Sequence, residues 1–334
     1  MEYTNLGSSD LNVSRIGLGT WAIGGWMWGG ADEKEAIKAI HAAIDAGMNF
    51  IDTAPVYGFG RSEEIVGKAI KDRRDKVVLA SKCGLIWHEE RGVFFFASDE
   101  KQPTTDGARK IYRCLAPDVI RYEIEQSLRR LQTDHIDLYQ THWQDSTSPI
   151  QWSVQTMMEL QDEGKIRAIG CCNADVEQMD MYRDTGKLDS DQELFSLLDR
   201  KHLGKNLPYA RAKNLAFLAY SPLAQGLLTG KLGPEREFSE GDQRGVAPRF
   251  SVGNRQRVRD FLDRLQPIAE RHRATLAQLA IGWALAQPGC THALVGARST
   301  EQVLENAAAA ELRLSTKDLA EINQILAEGG KDIR

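Results

Sequence analysis

A closed barrel of eight parallel strands, each followed by a helix, is the fold class this sequence predicts. Two observations carry that prediction. Eight short apolar runs, rich in β-branched residues, alternate with longer amphipathic stretches, and such alternation implies a parallel sheet. No shift in composition divides the chain, and its 334 residues lie within the range of roughly 200 to over 400 that single α/β barrels span. Residues 1–334 are therefore read as one (β/α)8 barrel domain, preceded by a β-hairpin and carrying extra C-terminal helices.

The opening Tyr3–Asn5 run, the turn signal Gly7-Ser8-Ser9-Asp10 and the run at 11–13 predict a hairpin suited to plug one barrel end. Barrel strands are expected at 16–19, 49–52, 77–81, 136–141, 166–170, 188–191, 216–220 and 293–296. The intervening helical patterns fall at 33–46, 62–71, 117–131, 150–164, 176–185, 208–213, 258–272 and 300–310. Two further helical stretches, 275–286 and 317–327, lie outside this count and read as additions packed on the barrel. Segments 84–116 and 224–255 are left as long loops, and loops of that length in a compact domain are usually functional or mobile.

Composition excludes several classes of protein. With 42% apolar and 27% charged residues the chain is globular, and its net charge of −5 gives no general attraction for nucleic acid or anionic lipid. The N-terminus lacks a basic segment followed by an apolar core, and no stretch approaches the roughly 18 apolar residues of a membrane span. A cytoplasmic protein is the expectation. Five scattered cysteines without a Cys-x-x-Cys pair predict free thiols, and seven histidines without His-x-x-x-His spacing predict no metal.

The strand ends carry the chemistry. Phe50-Ile51-Asp52-Thr53-Ala54-Pro55-Val56-Tyr57-Gly58 sets a carboxylate at the end of the second strand and a phenol five residues later. Lys82 ends the third strand, and Asp137 to Trp143 delivers His142 to the rim from the fourth. In a parallel barrel these ends are neighbours, at the face where catalytic residues collect. A phenol near an ammonium should have its pKa lowered, with Asp52 holding the ammonium charged. A solvated Lys82 and a structural His142 are the alternatives, weakened by the coincidence of three ionisable groups on three consecutive strands.

Gly17-Leu18-Gly19-Thr20-Trp21-Ala22 matches a dinucleotide fingerprint, but that fingerprint needs a helix to begin at the loop. Gly24, Gly25, Gly29 and Gly30 oppose one. A flexible loop bearing Trp21, Trp26 and Trp28 fits better, and for the last two, ligand wall and simple loop packing stand equally. At the eighth strand, Gly296, Ala297 and Arg298 lead into a helix N-terminus, a common place for phosphate in barrels, although an ordinary capped helix has the same pattern. Tyr220, ending strand seven, is either a flat surface for a planar ring or a core tyrosine.

Taken in order, these segments resemble the aldo-keto reductase superfamily over nearly the whole chain, and are most similar to the bacterial reductases of its eleventh family. The resemblance rests on Gly19-Thr20-Trp21, the Asp52 to Gly58 segment, Asp137-Leu138-Tyr139 with His142-Trp143, Gly164 to Gly170, Ala219 to Leu223, and Gly296-Ala297-Arg298 with Glu305-Asn306. It implies a catalytic tetrad of Asp52, Tyr57, Lys82 and His142, with Tyr57 donating a proton to the carbonyl oxygen. It implies NADPH bound without a Rossmann domain along Gly19, Thr20, Trp21 and Asp52. The carboxamide would meet Asn173 and Gln192, beside Cys172, and the nicotinamide ring would stack on Tyr220. The pyrophosphate would lie near Ser221, Leu223 and Lys231. Arg298 and Gln302 would sit by the 2'-phosphate and Glu305 and Asn306 by the adenine, Gly296 would also contact the cofactor, and Arg244 would act as a clasp.

A small carbonyl compound, walled by Trp21, Tyr57, His142 and Trp143, is the expected partner, in a monomer or weak homo-oligomer. Two departures from the family pattern stand out. Gly170-Cys171-Cys172-Asn173 replaces a hydroxyl by a thiol, and Gln192-Glu193-Leu194-Phe195-Ser196 keeps the glutamine but changes its support. A nucleotide sensor of the same fold, and a Schiff-base barrel using a deprotonated Lys82, are the rival readings. The intact tetrad weighs against the first and the charge of Asp52 against the second.

Overall fold

Eight parallel strands close on themselves in the computed structural model, which describes residues 1–98, 109–329 and 333. A hairpin of β1 (Tyr3–Asn5) and β2 (Asn12–Ser14) precedes them. The barrel then begins with β3 (Ile16–Gly19), α1 (Glu33–Asp45), β4 (Phe50–Asp52), α2 (Arg61–Ile70) and β5 (Val78–Cys83). Between β5 and its helix stand β6 (Leu85–Ile86), β7 (Val93–Ser98) and β8 (Arg109–Arg113). The chain continues through α3 (Pro117–Leu131), β9 (Ile136–Thr141), α4 (Ile150–Asp162), β10 (Ile166–Cys172) and α5 (Val176–Thr185). It ends with β11 (Ser190–Leu194), α6 (Asn206–Lys213), β12 (Ala216–Tyr220), α7 (Val252–Arg271), α8 (Leu276–Ala286), β13 (Cys290–Gly296), α9 (Thr300–Ala308) and α10 (Thr316–Gly329). β3, β4, β5, β9, β10, β11, β12 and β13 follow one another around the barrel, with β13 returning to β3.

Period-two alternation sorts the strand residues into two environments. Ile51, Leu79, Tyr139 and Ile169 face outward into a buried layer shared with the helices. Phe50, Val78, Ala80, Leu138, Ala168, Ala216 and Leu218 point inward and meet Leu6, Leu11 and Val13, so the hairpin does plug the barrel floor. Gly7 allows that approach. Its φ is +58°, and a Cβ there would stand 2.1 Å from the Asp189 carbonyl oxygen.

Three segments differ from the sequence expectation. The 84–116 loop contains the antiparallel order β6-β8-β7, with residues 99–108 outside the described residues. The sixth strand runs Ser190–Leu194 rather than 188–191, because its parallel pairing with β12 continues from Ser190 opposite Ala216 to Leu194 opposite Tyr220. The seventh loop is shortened by α7, which begins at Val252, and short helical turns at Ala224–Thr229, Gln243–Gly245 and Pro248–Phe250 organise the rest.

Candidate active site

One step above the apolar floor, the same alternation turns Asp52, Lys82, Gln140 and Gln192 into the barrel interior. Lys82 is fully buried, and its ammonium donates to Asp52 Oδ2 at 2.6 Å, to the Thr53 carbonyl at 2.9 Å and to the Tyr57 hydroxyl oxygen at 3.5 Å. The other Asp52 oxygen accepts from Gln192 Nε2 at 2.9 Å and from Gln140 Nε2 at 3.4 Å. A buried ion pair is tolerated when its remaining polar atoms are also bonded, and this one is held on every side.

Gln140 is a site residue that sequence reasoning missed. Counting by two from the inward Leu138 would have found it, since Gln140 is the next inward position. Gln192 was expected to meet a carboxamide, yet its amide N–H is given to Asp52.

Tyr57 stands half-buried at the mouth, with the His142 ring edge-on to it at 5.7 Å and Trp21 stacked at 6.2 Å. Its pKa is pushed up to about 12, because burial penalises the phenolate more than Lys82 favours it. This corrects the expectation of a lowered value. Burial likewise opposes the charged form of Lys82, but Asp52 and Tyr57 prevail and raise its pKa, so the amine is neither free nor deprotonated as a Schiff base requires. His142 lies well below the usual histidine range, first through burial and then through Lys82, and is neutral near pH 7.

Above these groups opens a cavity of about 740 Å3. Tyr57, His142 and Trp143 line it, together with Gly19, Thr20, Trp21, Asp52, Asn173 and Gln192. Tyr220, Ser221, Leu223, Lys231 and Arg244 form its seventh-strand side, and Gly296, Arg298, Gln302, Glu305 and Asn306 its eighth. Cys172 does not line it. Its thiol is buried next to Asn173, which does line the cavity.

Aromatic groups gather at one end of this cavity. Phe95, from the β6-β8-β7 sheet, packs on Trp143 at 5.2 Å, and Leu85 and Phe96 also line this end. Trp26 is buried and donates its N–H to Ser98 Oγ at 3.1 Å, so packing is its main role, whereas Trp28 stands edge-on to Trp21 at 5.4 Å.

The other end is cationic. Arg236, Arg244 and Arg298 all line it, and Arg236 was not anticipated. Arg244 pairs with Asp242 at 2.6 Å and lies 4.7 Å from the Trp28 ring centre, while Arg298 donates to the Trp28 carbonyl at 3.1 Å. Burial, then the charge of Arg244, lowers the Arg298 pKa. The first and seventh loops join here, with Gln243 N–H on the Met27 carbonyl at 3.0 Å and Gly29 N–H on that of Gly241 at 3.3 Å. Lys231 is paired with Glu305 at 2.8 Å.

The lining fits a dinucleotide. Gly19 and Gly296 are register partners that line the cavity with bare backbone, and the nearest atoms a Cβ on either would meet, at 3.8 Å or beyond, are backbone atoms of these two strands. The buried N–H groups of Trp21 Nε1, Trp28 Nε1 and Gln243 Nε2, all on lining residues, have no acceptor among the described residues. No α-helix starts until Glu33, so the Gly17 to Ala22 segment is not a Rossmann turn. Among the described residues, no cluster of three or more His, Cys, Asp or Glu side chains is arranged to hold a metal. Nor is any described helix long and apolar enough to cross a membrane. The five cysteines are free and buried.

Residues 15–327 match the family model described as Aldo/keto reductase family. Aldo-keto reductase YhdN of Bacillus subtilis (strain 168) is 42% identical over 329 residues, covering 98% of this chain and 94% of the relative. An NADH-specific methylglyoxal reductase of Escherichia coli (strain K12) is 41% identical over 324 residues, covering 95% and 96%. Among solved structures, the glycerol dehydrogenase AKR11B4 from Gluconobacter oxydans superposes with a TM-score of 0.86 at 38% identity, covering 98% of this chain and 95% of its own. The holo aldo-keto reductase AKR11C1 from Bacillus halodurans gives 0.75 at 28% identity, covering 97% and 96%.

Proposed function

The chain belongs to the aldo/keto reductase family, oxidoreductases acting on carbonyl groups, and we propose that it reduces an aldehyde or ketone to the alcohol with NADPH, using Tyr57 as proton donor. The observation that carries this reading is the Lys82 ammonium, bound to Asp52 and 3.5 Å from the Tyr57 oxygen. Lys82 donates to Tyr57, which leaves the phenol's own proton for a carbonyl oxygen in the cavity. A raised pKa keeps that proton in place at neutral pH, and the nearby ammonium favours the phenolate left after transfer. Neutral His142 offers a second hydrogen-bonding group beside the same oxygen.

When bound, a reduced nicotinamide would supply the hydride for the carbonyl carbon. The chain's part is to hold the dinucleotide across the mouth, with Asn173 and Tyr220 at its reactive end and Arg298, Gln302 and Asn306 at the far end. Arg236, Arg244 and Arg298 stand close enough to repel one another, with Asp242 paired to Arg244 and Glu305 to Lys231, and the adenosine 2'-phosphate of NADPH would relieve that repulsion. The E. coli relative is named NADH-specific, so this preference is proposed from the chain's own cations. The aromatic end favours a compact carbonyl compound with an apolar body, since it offers few partners for substrate hydroxyls.

Tyr57→Phe tests the reading. Carbonyl reduction, followed by loss of nicotinamide absorbance, should fall by about a hundredfold or more, while NADPH affinity stays near that of the unaltered protein. Unchanged turnover would remove Tyr57 as the acid.

A further inference from the structure

Behind β11 lies a buried polar cluster that proton transfer does not use. Because Gln192 points into the barrel, alternation directs Asp191 and Glu193 outward, against α6 and the helical turn at Lys201–Gly204. Asp191, Glu193, His202 and Asn206 are all buried. Buried carboxylates are costly unless hydrogen-bonded, and here the bonds converge on the backbone of one residue. Glu193 Oε1 accepts the Ala174 N–H at 2.9 Å. Asn206 Nδ2 donates to the Ala174 carbonyl at 2.9 Å, to Asp191 Oδ2 at 3.0 Å and to Glu193 Oε1 at 3.4 Å. His202 Nε2 stands 3.1 Å from Glu193 Oε2. Burial and then Glu193 push the Asp191 carboxyl well above the usual carboxylate range.

Ala174 follows Asn173, whose backbone is left-handed at a φ of 55°. Asparagine adopts such a conformation more readily than most residues, and it persists where the surroundings hold it. In this position the Asn173 side chain lies at the cavity wall, Oδ1 accepting from the Tyr220 hydroxyl at 2.9 Å and Nδ2 donating to the His142 carbonyl at 2.9 Å. Asn173 is thus fixed on one side by pocket residues and on the other by whatever secures Ala174. We propose that Glu193, together with Asn206, is a positioning residue for nicotinamide recognition: it secures both polar groups of Ala174 and thereby sets Asn173 at the reactive end of the cavity. The inference rests on the reading that this cavity takes a dinucleotide with its nicotinamide near Asn173. It also gives a role to the glutamate that follows Gln192 in the segment departing from the family pattern.

The test compares NADPH with 2'-phospho-ADP-ribose, which lacks the nicotinamide, by quenching of tryptophan fluorescence in the full-length protein. Glu193→Ala and Asn206→Ala should each weaken NADPH about tenfold and leave the fragment within about twofold, the size of one lost hydrogen bond felt at one end only. Glu193→Gln retains an oxygen for the Ala174 N–H and should bind NADPH nearly as the unaltered protein does. If Glu193→Ala does not fold, Asn206→Ala carries the comparison. Equal losses for NADPH and fragment, no loss of NADPH, or a Glu193→Gln loss as large as that of Glu193→Ala would each overturn the proposal. Failure of the unaltered protein to bind NADPH would instead overturn the functional reading, and that is seen before any variant is made.

Discussion

The Lys82 ammonium lies 3.5 Å from the Tyr57 hydroxyl oxygen, and Lys82 is wholly enclosed while Tyr57 reaches the cavity. The pair therefore has a direction. Charge is stored below, where water does not reach it, and the transferable proton is presented above.

That direction sets the pH dependence. Reduction needs the protonated phenol, whose pKa is about 12, and His142 is already neutral near pH 7. The kcat/KM for reduction should stay level from about pH 6 to about pH 9 and decline only toward the tyrosine value. A decline centred below about pH 9 in stopped-flow rates would contradict this assignment.

Removing the ammonium should cost stability as well as activity. Lys82→Met leaves Asp52 buried without its cation, a change that typically destabilises by about 3–5 kcal/mol. Lys82→Met combined with Asp52→Asn should recover part of that loss. Denaturant unfolding of the three variants checks it, and a single variant no less stable than the double would contradict it.

At the cationic end, Arg298→Ala should weaken NADPH by about tenfold or more, because a charge-assisted phosphate contact is lost, and NADH much less. Equal losses in fluorescence titrations of the two cofactors would place the 2'-phosphate elsewhere.

Glu123 offers a second pH readout. Buried, with Glu63 nearby, it has its pKa pushed up to about 8, although the Gly84 N–H at 2.6 Å and Arg130 favour the carboxylate. A folded-state pKa above the unfolded one means that its stabilising contribution is complete below about pH 4.5 and lost as pH rises through about 8. Glu123→Gln should remove that fall, on the order of a few kcal/mol. Urea midpoints of both proteins at pH 5 and pH 8.5 measure the difference, and parallel midpoints would rule it out.

The order of residues by itself determined the barrel, its hairpin plug and the rim carrying Asp52, Tyr57, Lys82 and His142. Those features follow from local period and from the ends of strands, which are written within a few residues. Three-dimensional packing decided the rest. The described residues of the 84–116 segment include a sheet made by pairing β8 with β6 and β7, which no local period records. The sixth strand ran on through Glu193, whose carboxylate takes the Ala174 N–H, and Asn206 donates to Asp191, partners that no local period records. Gln140 and Gln192 came to hold Asp52 because an inward layer assembles from separate strands. The Tyr57 pKa turned on the same distinction. Sequence supplied the neighbouring cation, which lowers it, but only the folded chain removes the water, and in that site desolvation outweighs the charge.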